Sequence, residues 1–137
     1  MKGRQKSAAE VILPVGQYLF QIESVKDSQT KERIPKANLV LVVCGGDQDG
    51  ERINHSVTFF PPGHKYGWIT DQFLAAIGEQ KDGETNEFVY DTETWPERKF
   101  MAGIEHGEYN GQAQNKLRSI KPAQKEELIE GLDKVPF

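Results

Sequence analysis

Residues 51–60, ERINHSVTFF, alternate with a period of two and stop at Pro61-Pro62-Gly63. Ile53, His55, Val57 and Phe59 fall on one side, and Arg52, Asn54, Ser56, Thr58 and Phe60 on the other. This is the pattern of a strand with one buried face, ended by prolines that cannot donate to a ladder. The period then changes. In YGWITDQFLAAIG, Ile69, Phe73, Ala76 and Ile77 recur at helical spacing, with Trp68 close by and Gly78 as a C-terminal stop. The spacing predicts a short helix over 66–77. His55 is expected to face inward as a core histidine.

The flanking segments read as strands. VGQYLFQIESV at 15–25 places Tyr18, Phe20 and Ile22 on one face. KDSQTKERIPK at 26–36 is polar and reads as a long loop. NLVLVVC at 38–44 is apolar at nearly every position, as in a strand covered on both faces, with Cys44 as a buried thiol. GGDQDG at 45–50 is a turn signal. The acidic stretch 79–97 reads as a loop with room for a short extra strand. RKFMAGIEH at 98–106 and QAQNKLRSI at 112–120 form the last two strands, joined through GEYNG with its Asn-Gly pair. Three strands, a helix and two strands predict an all-β fold with one short helix, namely a five-stranded OB-fold-like Greek-key barrel. An SH3-like barrel or an open α+β sheet accommodates the same elements. The predicted boundaries are an N-terminal tail at 1–11, the OB-like domain at 12–121 and a flexible acidic tail at 122–137.

Catalytic and metal chemistry lack a signature. His55, His64 and His106 form no spaced pair, there is no CxxC, and Ser56 lacks a nucleophile elbow. Gly45-Gly46 is followed by acids and no lysine, so it is a turn rather than a phosphate cradle. The reading is of a non-enzymatic chain that needs no cofactor. A single cysteine, no apolar run of spanning length and no leader-like start point to a cytoplasmic protein without membrane association.

A binding face is easier to assemble. OB-folds bind ligands across strands two and three, between the loop joining strands one and two and the loop joining strands four and five. The first loop would carry Lys26, Lys31, Arg33 and Lys36, and the second Tyr109. The outward face of strand three offers Arg52 and Phe60, and that of strand five Lys116 and Arg118. Cations that track phosphates and rings that stack on bases are what single-strand binding requires. The net charge of −4 runs against it. Removing residues 121–137 leaves seventeen acids and fourteen bases, so the tail does not mask a basic core and local patches would have to act.

Two resemblances extend this reading. The terminal residues Leu132-Asp133-Lys134-Val135-Pro136-Phe137 resemble the tip of bacterial single-stranded-DNA-binding proteins, which end in an acidic stretch closing with Pro-Phe. Here one Asp stands where that family has a run, and Lys134 interrupts it. The resemblance implies that Asp133, Val135, Pro136 and Phe137 dock onto replication or recombination proteins. From Leu13 to Pro122 the chain also resembles a family of small phage and prophage proteins of unknown function, regarded as OB-fold single-strand DNA binders. The resemblance is carried by Pro14-Val15-Gly16-Gln17-Tyr18, the apolar second strand, Gly50-Glu51-Arg52-Ile53, Ala75-Ala76-Ile77-Gly78, and Tyr109-Asn110-Gly111 before Asn115-Lys116-Leu117. It implies a passive, non-sequence-specific single-stranded-DNA-binding protein of a phage-type replication or recombination system, working in the cytoplasm of an infected or lysogenic host. The acidic balance favours a different class, a protein-interaction adaptor or inhibitor that uses the same barrel without nucleic acid. An enzyme with a site between Trp68 and Trp95 is a third class.

Overall fold

The computed structural model describes residues 11–61 and 63–123. Three strands form a meander: β1 (Gly16–Gln29), β2 (Pro35–Val43) and β3 (Arg52–Thr58). Helix α1 (Gly67–Ala76) follows, then a two-stranded ribbon of β4 (Gln80–Lys81) and β5 (Phe88–Val89) and a 3₁₀ turn at Thr92–Thr94. The hairpin of β6 (Lys99–Tyr109) and β7 (Gln112–Pro122) completes the order. The main sheet is antiparallel, with spatial order β3-β2-β1-β6-β7.

The predicted order of elements and the helix bounds agree with this architecture. Among the described residues the sheet does not close into a barrel: it ends at β3 on one side and β7 on the other. A cavity of about 830 Å³ lies between Asn54–Ser56 and Gln112–Asn115, and Ile12 reaches into its lining. The entry segment is fastened beside it. The Asn115 side chain accepts from the Leu13 amide at 2.9 Å and donates to the Val11 carbonyl at 2.8 Å. His106 Nε2 lies 2.7 Å from the Leu13 carbonyl. Leu13 is fully buried, so the domain reaches back to Val11. It extends forward to Pro122, which pairs with Phe100.

One sheet face builds the core. Phe20 and Ile22 of β1, Leu39, Leu41 and Val43 of β2, Ile53 and Val57 of β3, and Phe100, Ala102 and Ile104 of β6 are all buried. Strand periodicity dictates this, since every second residue faces inward. Helix α1 covers this face with Thr70, Phe73, Leu74 and Ala76, and Ile77 follows at its end. The expected stripe holds at Phe73, Ala76 and Ile77 and differs at its first position, where Ile69 is exposed and Thr70 faces inward. Trp95, from the acidic stretch, is fully buried against Phe73. Its indole N–H donates to Glu79 at 2.8 Å, and Arg98 bonds Glu79, the Ile77 carbonyl and Thr94. This network ties the end of α1 to the segment that enters β6.

Three further expectations are corrected. The polar stretch 26–36 is not a long loop. Lys26–Gln29 continue β1, Pro35 and Lys36 begin β2, and only Thr30–Ile34 turn. Hydrophobic patterning misses this extension because Lys26, Asp27, Ser28 and Gln29 are exposed and contribute main-chain pairing alone. Strand β2 is buried on one face only, since Val40 and Val42 are half-exposed on the other. Cys44 is likewise only half-buried. The Asn110-Gly111 turn behaves as expected, with φ of 53° and 80°, the left-handed pair that a tight hairpin requires.

Candidate nucleic-acid interface

Register places the polar residues of the meander on one outer face. Ser28, Lys36 and Thr58 lie side by side across β1, β2 and β3, and Lys26, Asn38 and Ser56 form the next row. Ser24, Val40 and Asn54 follow, then Gln21, Val42 and Arg52. Ser56 Oγ donates to Asn38 Oδ1 at 2.7 Å, which fixes the middle of the face. A bulge at Glu23 interrupts the β1 register and brings that carboxylate to Arg52, whose Nε donates to it at 2.6 Å. Arg52 is therefore exposed but engaged, and the Glu23 hydrogen bond raises its pKa further.

Lys31 and Arg33 occupy the exposed tip of the β1–β2 hairpin. The tip closes through the Thr30 amide donating to the Ile34 carbonyl at 2.9 Å and the Arg33 amide donating to the Thr30 carbonyl at 2.9 Å. Arg33 has φ of 68°, a conformation that is uncommon for any residue with a Cβ. Lys26, Lys31, Arg33, Lys36 and Arg52 thus belong to one arm and one face, with Lys26 and Lys36 on paired strands rather than in the expected loop.

The other predicted residues divide. Lys116 and Arg118 lie on the outer face of β7, two strands beyond β1. Glu105 is opposite Lys116 in register and forms an ion pair with Arg118. The aliphatic stem of Lys116 lies over Gly107, where a Cβ would stand 2.3 Å from Lys116 Cδ. Tyr109 ends β6 with its main chain paired to Gln112. Phe60 departs from the expected sheet face. Strand β3 ends at Thr58, and the Phe60 ring stacks on His64 with centroids 4.6 Å apart and lies 5.9 Å from the Tyr66 ring. Asp133, Val135, Pro136 and Phe137 lie outside the described residues.

The region around Phe60 is the part that sequence patterning missed. Phe60, His64, Trp68, Phe88 and Tyr90 line a groove of about 510 Å³ between the start of α1 and the β4–β5 ribbon. Phe59 and Tyr90 stack at 4.9 Å and also line a second hollow that contains Lys36, Asp27 and Asp91. The ring-lined groove therefore runs into the cationic sheet face at Lys36. Burial, and then the Asp27 carboxylate, raise the pKa of the Tyr90 phenol, so it stays protonated at neutral pH. A signal existed in the sequence: Trp68 lies off the helical stripe, which leaves a large ring without a place in the core.

His55 faces inward beside Phe73, with ring centroids 6.2 Å apart, and is half-buried at the edge of the β3–β7 cavity. Desolvation lowers its pKa to about 4, so it is neutral at physiological pH. Among the described residues, no group of three or more His, Cys, Asp or Glu side chains is arranged to hold a metal ion. Nor is any helix among them long and apolar enough to cross a membrane. A scan of protein-family models finds no match to the chain, and a search of curated protein sequences finds no relative.

Proposed function

We propose that this chain binds single-stranded nucleic acid, and that its biological ligand is single-stranded DNA in a phage-type replication or recombination system. The observation that carries the reading is the position of Lys36, where the cationic outer face of β1–β3 meets a hollow lined by Phe59 and Tyr90. Phosphates along the strand would be met by Lys26, Lys31, Arg33 and Lys36, and bases would stack on nearby rings. Such contacts do not read base edges, so little sequence preference is expected.

The topology supports an OB-like ancestry for this face. Meander, helix and hairpin succeed one another in OB order, and a cavity separates β3 from the start of β7 where a closed barrel would join them. In this reading the terminal residues Asp133, Val135, Pro136 and Phe137 recruit a replication or recombination protein.

The test is fluorescence anisotropy of a labelled poly-dT oligonucleotide at low and physiological salt, with duplex as competitor. Expected is binding that weakens with salt, at a log–log slope of about −0.7 per phosphate neutralised, and that duplex fails to displace. Absence of binding at low salt rejects the proposal. A second reading, a protein-interaction adaptor, is favoured by the net charge of −4 and by the two edges, β3 and β7, at which the sheet ends among the described residues.

A further inference from the structure

The two tryptophans occupy opposite environments. Trp95 is fully buried, whereas Trp68 is 63% exposed at the start of α1. Tyr66 is 46% exposed and Tyr90 40% exposed, on the same side of the molecule. We infer that the groove between the start of α1 and the β4–β5 ribbon is a base-stacking subsite, with Trp68 as its principal ring, for one unstacked base of a nucleic-acid strand that continues onto Lys36. The inference rests on the single-strand reading above and adds a place and a ring to it.

Three features of the groove select a base over other ligands. Its walls are aromatic, and its volume of about 510 Å³ is within the range of small-molecule sites. Its polar lining includes Asp71, Asn86 and Glu87 together with Lys81, so hydrogen-bond acceptors and one ammonium both face the space. Every nucleobase is neutral and offers at least one N–H donor that these oxygens can accept. Cations border this space, although Asp27 and Asp91 share the hollow with Lys36. Lys65 lies 5.1 Å above the Tyr66 ring, Lys81 lies 5.4 Å above the Phe88 ring, and Lys36 lines the adjoining hollow. Phe59 and Tyr90 are shared by the groove and that hollow, so the two spaces adjoin.

The contrast between the tryptophans supplies the experiment. Titrating the full chain with an unlabelled dT oligonucleotide at low salt should quench tryptophan emission, because a base stacks on Trp68. Trp68→Phe retains a flat ring and the emission of buried Trp95, so it should bind with affinity close to wild type and show no quenching. Trp68→Ala should weaken binding about tenfold, as expected for the loss of one stacked base. Circular dichroism of both variants checks that the fold is intact. Wild-type emission unchanged by saturating oligonucleotide, with Trp68→Ala binding as tightly as wild type by anisotropy, overturns the subsite and leaves the single-strand reading standing. No anisotropy change for the wild-type chain overturns both.

Discussion

Thr70 fastens α1 to the end of β3 with two hydrogen bonds, its Oγ1 donating to the Thr58 carbonyl at 2.6 Å and accepting from the Phe60 amide at 3.2 Å. Among the described residues Thr70 is the buried polar residue of the core, and its hydroxyl meets two main-chain groups left over where the strand ends. Thr70→Val preserves shape and removes both bonds, leaving the Phe60 N–H without its partner. Expected is a loss of about 1–3 kcal/mol, read as a lower urea midpoint with unchanged m-value.

Glu79 holds two donors at once, the indole N–H of Trp95 and the guanidinium of Arg98. Its side chain is 10% exposed, so water cannot substitute for either bond. Glu79→Ala strands an indole N–H and a partly buried cation. It should destabilise the fold by about 3 kcal/mol, more than Glu79→Gln, which keeps an acceptor for the indole. Thermal unfolding of the two variants beside wild type separates these effects.

The pH dependence of stability follows from His55. Its folded pKa of about 4 lies below the ordinary value of 6.5, so across that interval the unfolded chain binds more protons than the folded one. Stability is therefore complete above the unfolded value and falls as pH drops from there toward the folded value. The slope is at most about 1.4 kcal/mol per pH unit. In His55→Leu this contribution should vanish. Denaturant midpoints of wild type and variant between those two pH values make the comparison, and identical slopes would remove His55 as the cause.

Charge substitutions should separate two arginine and lysine roles. Arg52 is engaged by Glu23, while Lys36 borders the ring-lined hollow. Lys36→Ala is expected to weaken oligonucleotide binding several-fold and to reduce the salt slope by about 0.7. Arg52→Ala is expected to have the smaller effect, because its guanidinium is already paired with Glu23. Anisotropy titrations at three salt concentrations yield both slopes, and a larger effect at Arg52 would reverse the assignment.

Much of this architecture could be read from alternation. The inward set of β3, the bounds of α1 and the Asn110-Gly111 turn each follow from local rules that the surroundings do not override. Three things could not be read in this way. The end of β1 is polar on both faces, so nothing in Lys26–Gln29 distinguishes a strand from a loop until β2 lies beside it. Trp95 comes from a stretch rich in acids, and its burial depends on Phe73 of α1 and Phe59 at the end of β3 packing against it. Whether the sheet closes is decided by the distance between β3 and β7, a property of the whole fold that no single segment encodes. The candidate site divides along the same line. The sequence offers its cations and Phe60 but places Lys26–Lys36 in a loop, while Trp68, Phe88 and Tyr90 come together only when α1 and β5 pack beside the end of β3.

The central place of β1 in the sheet also sets the order in which the molecule can assemble. Its partner on one side, β2, follows at once in the chain, but on the other side Gly16 must find Ile104 and Phe20 must find Phe100. During synthesis the meander emerges first and can pair through local contacts, with one face of Phe20 and Ile22 still wet. Helix α1 can cover that face once it emerges, but the second edge of β1 stays open until β6 leaves the ribosome. Pairings of such wide sequence separation make refolding slow for a domain of this size, on the order of milliseconds to seconds. In that interval the half-built sheet is the form most open to capture by chaperones or to aggregation.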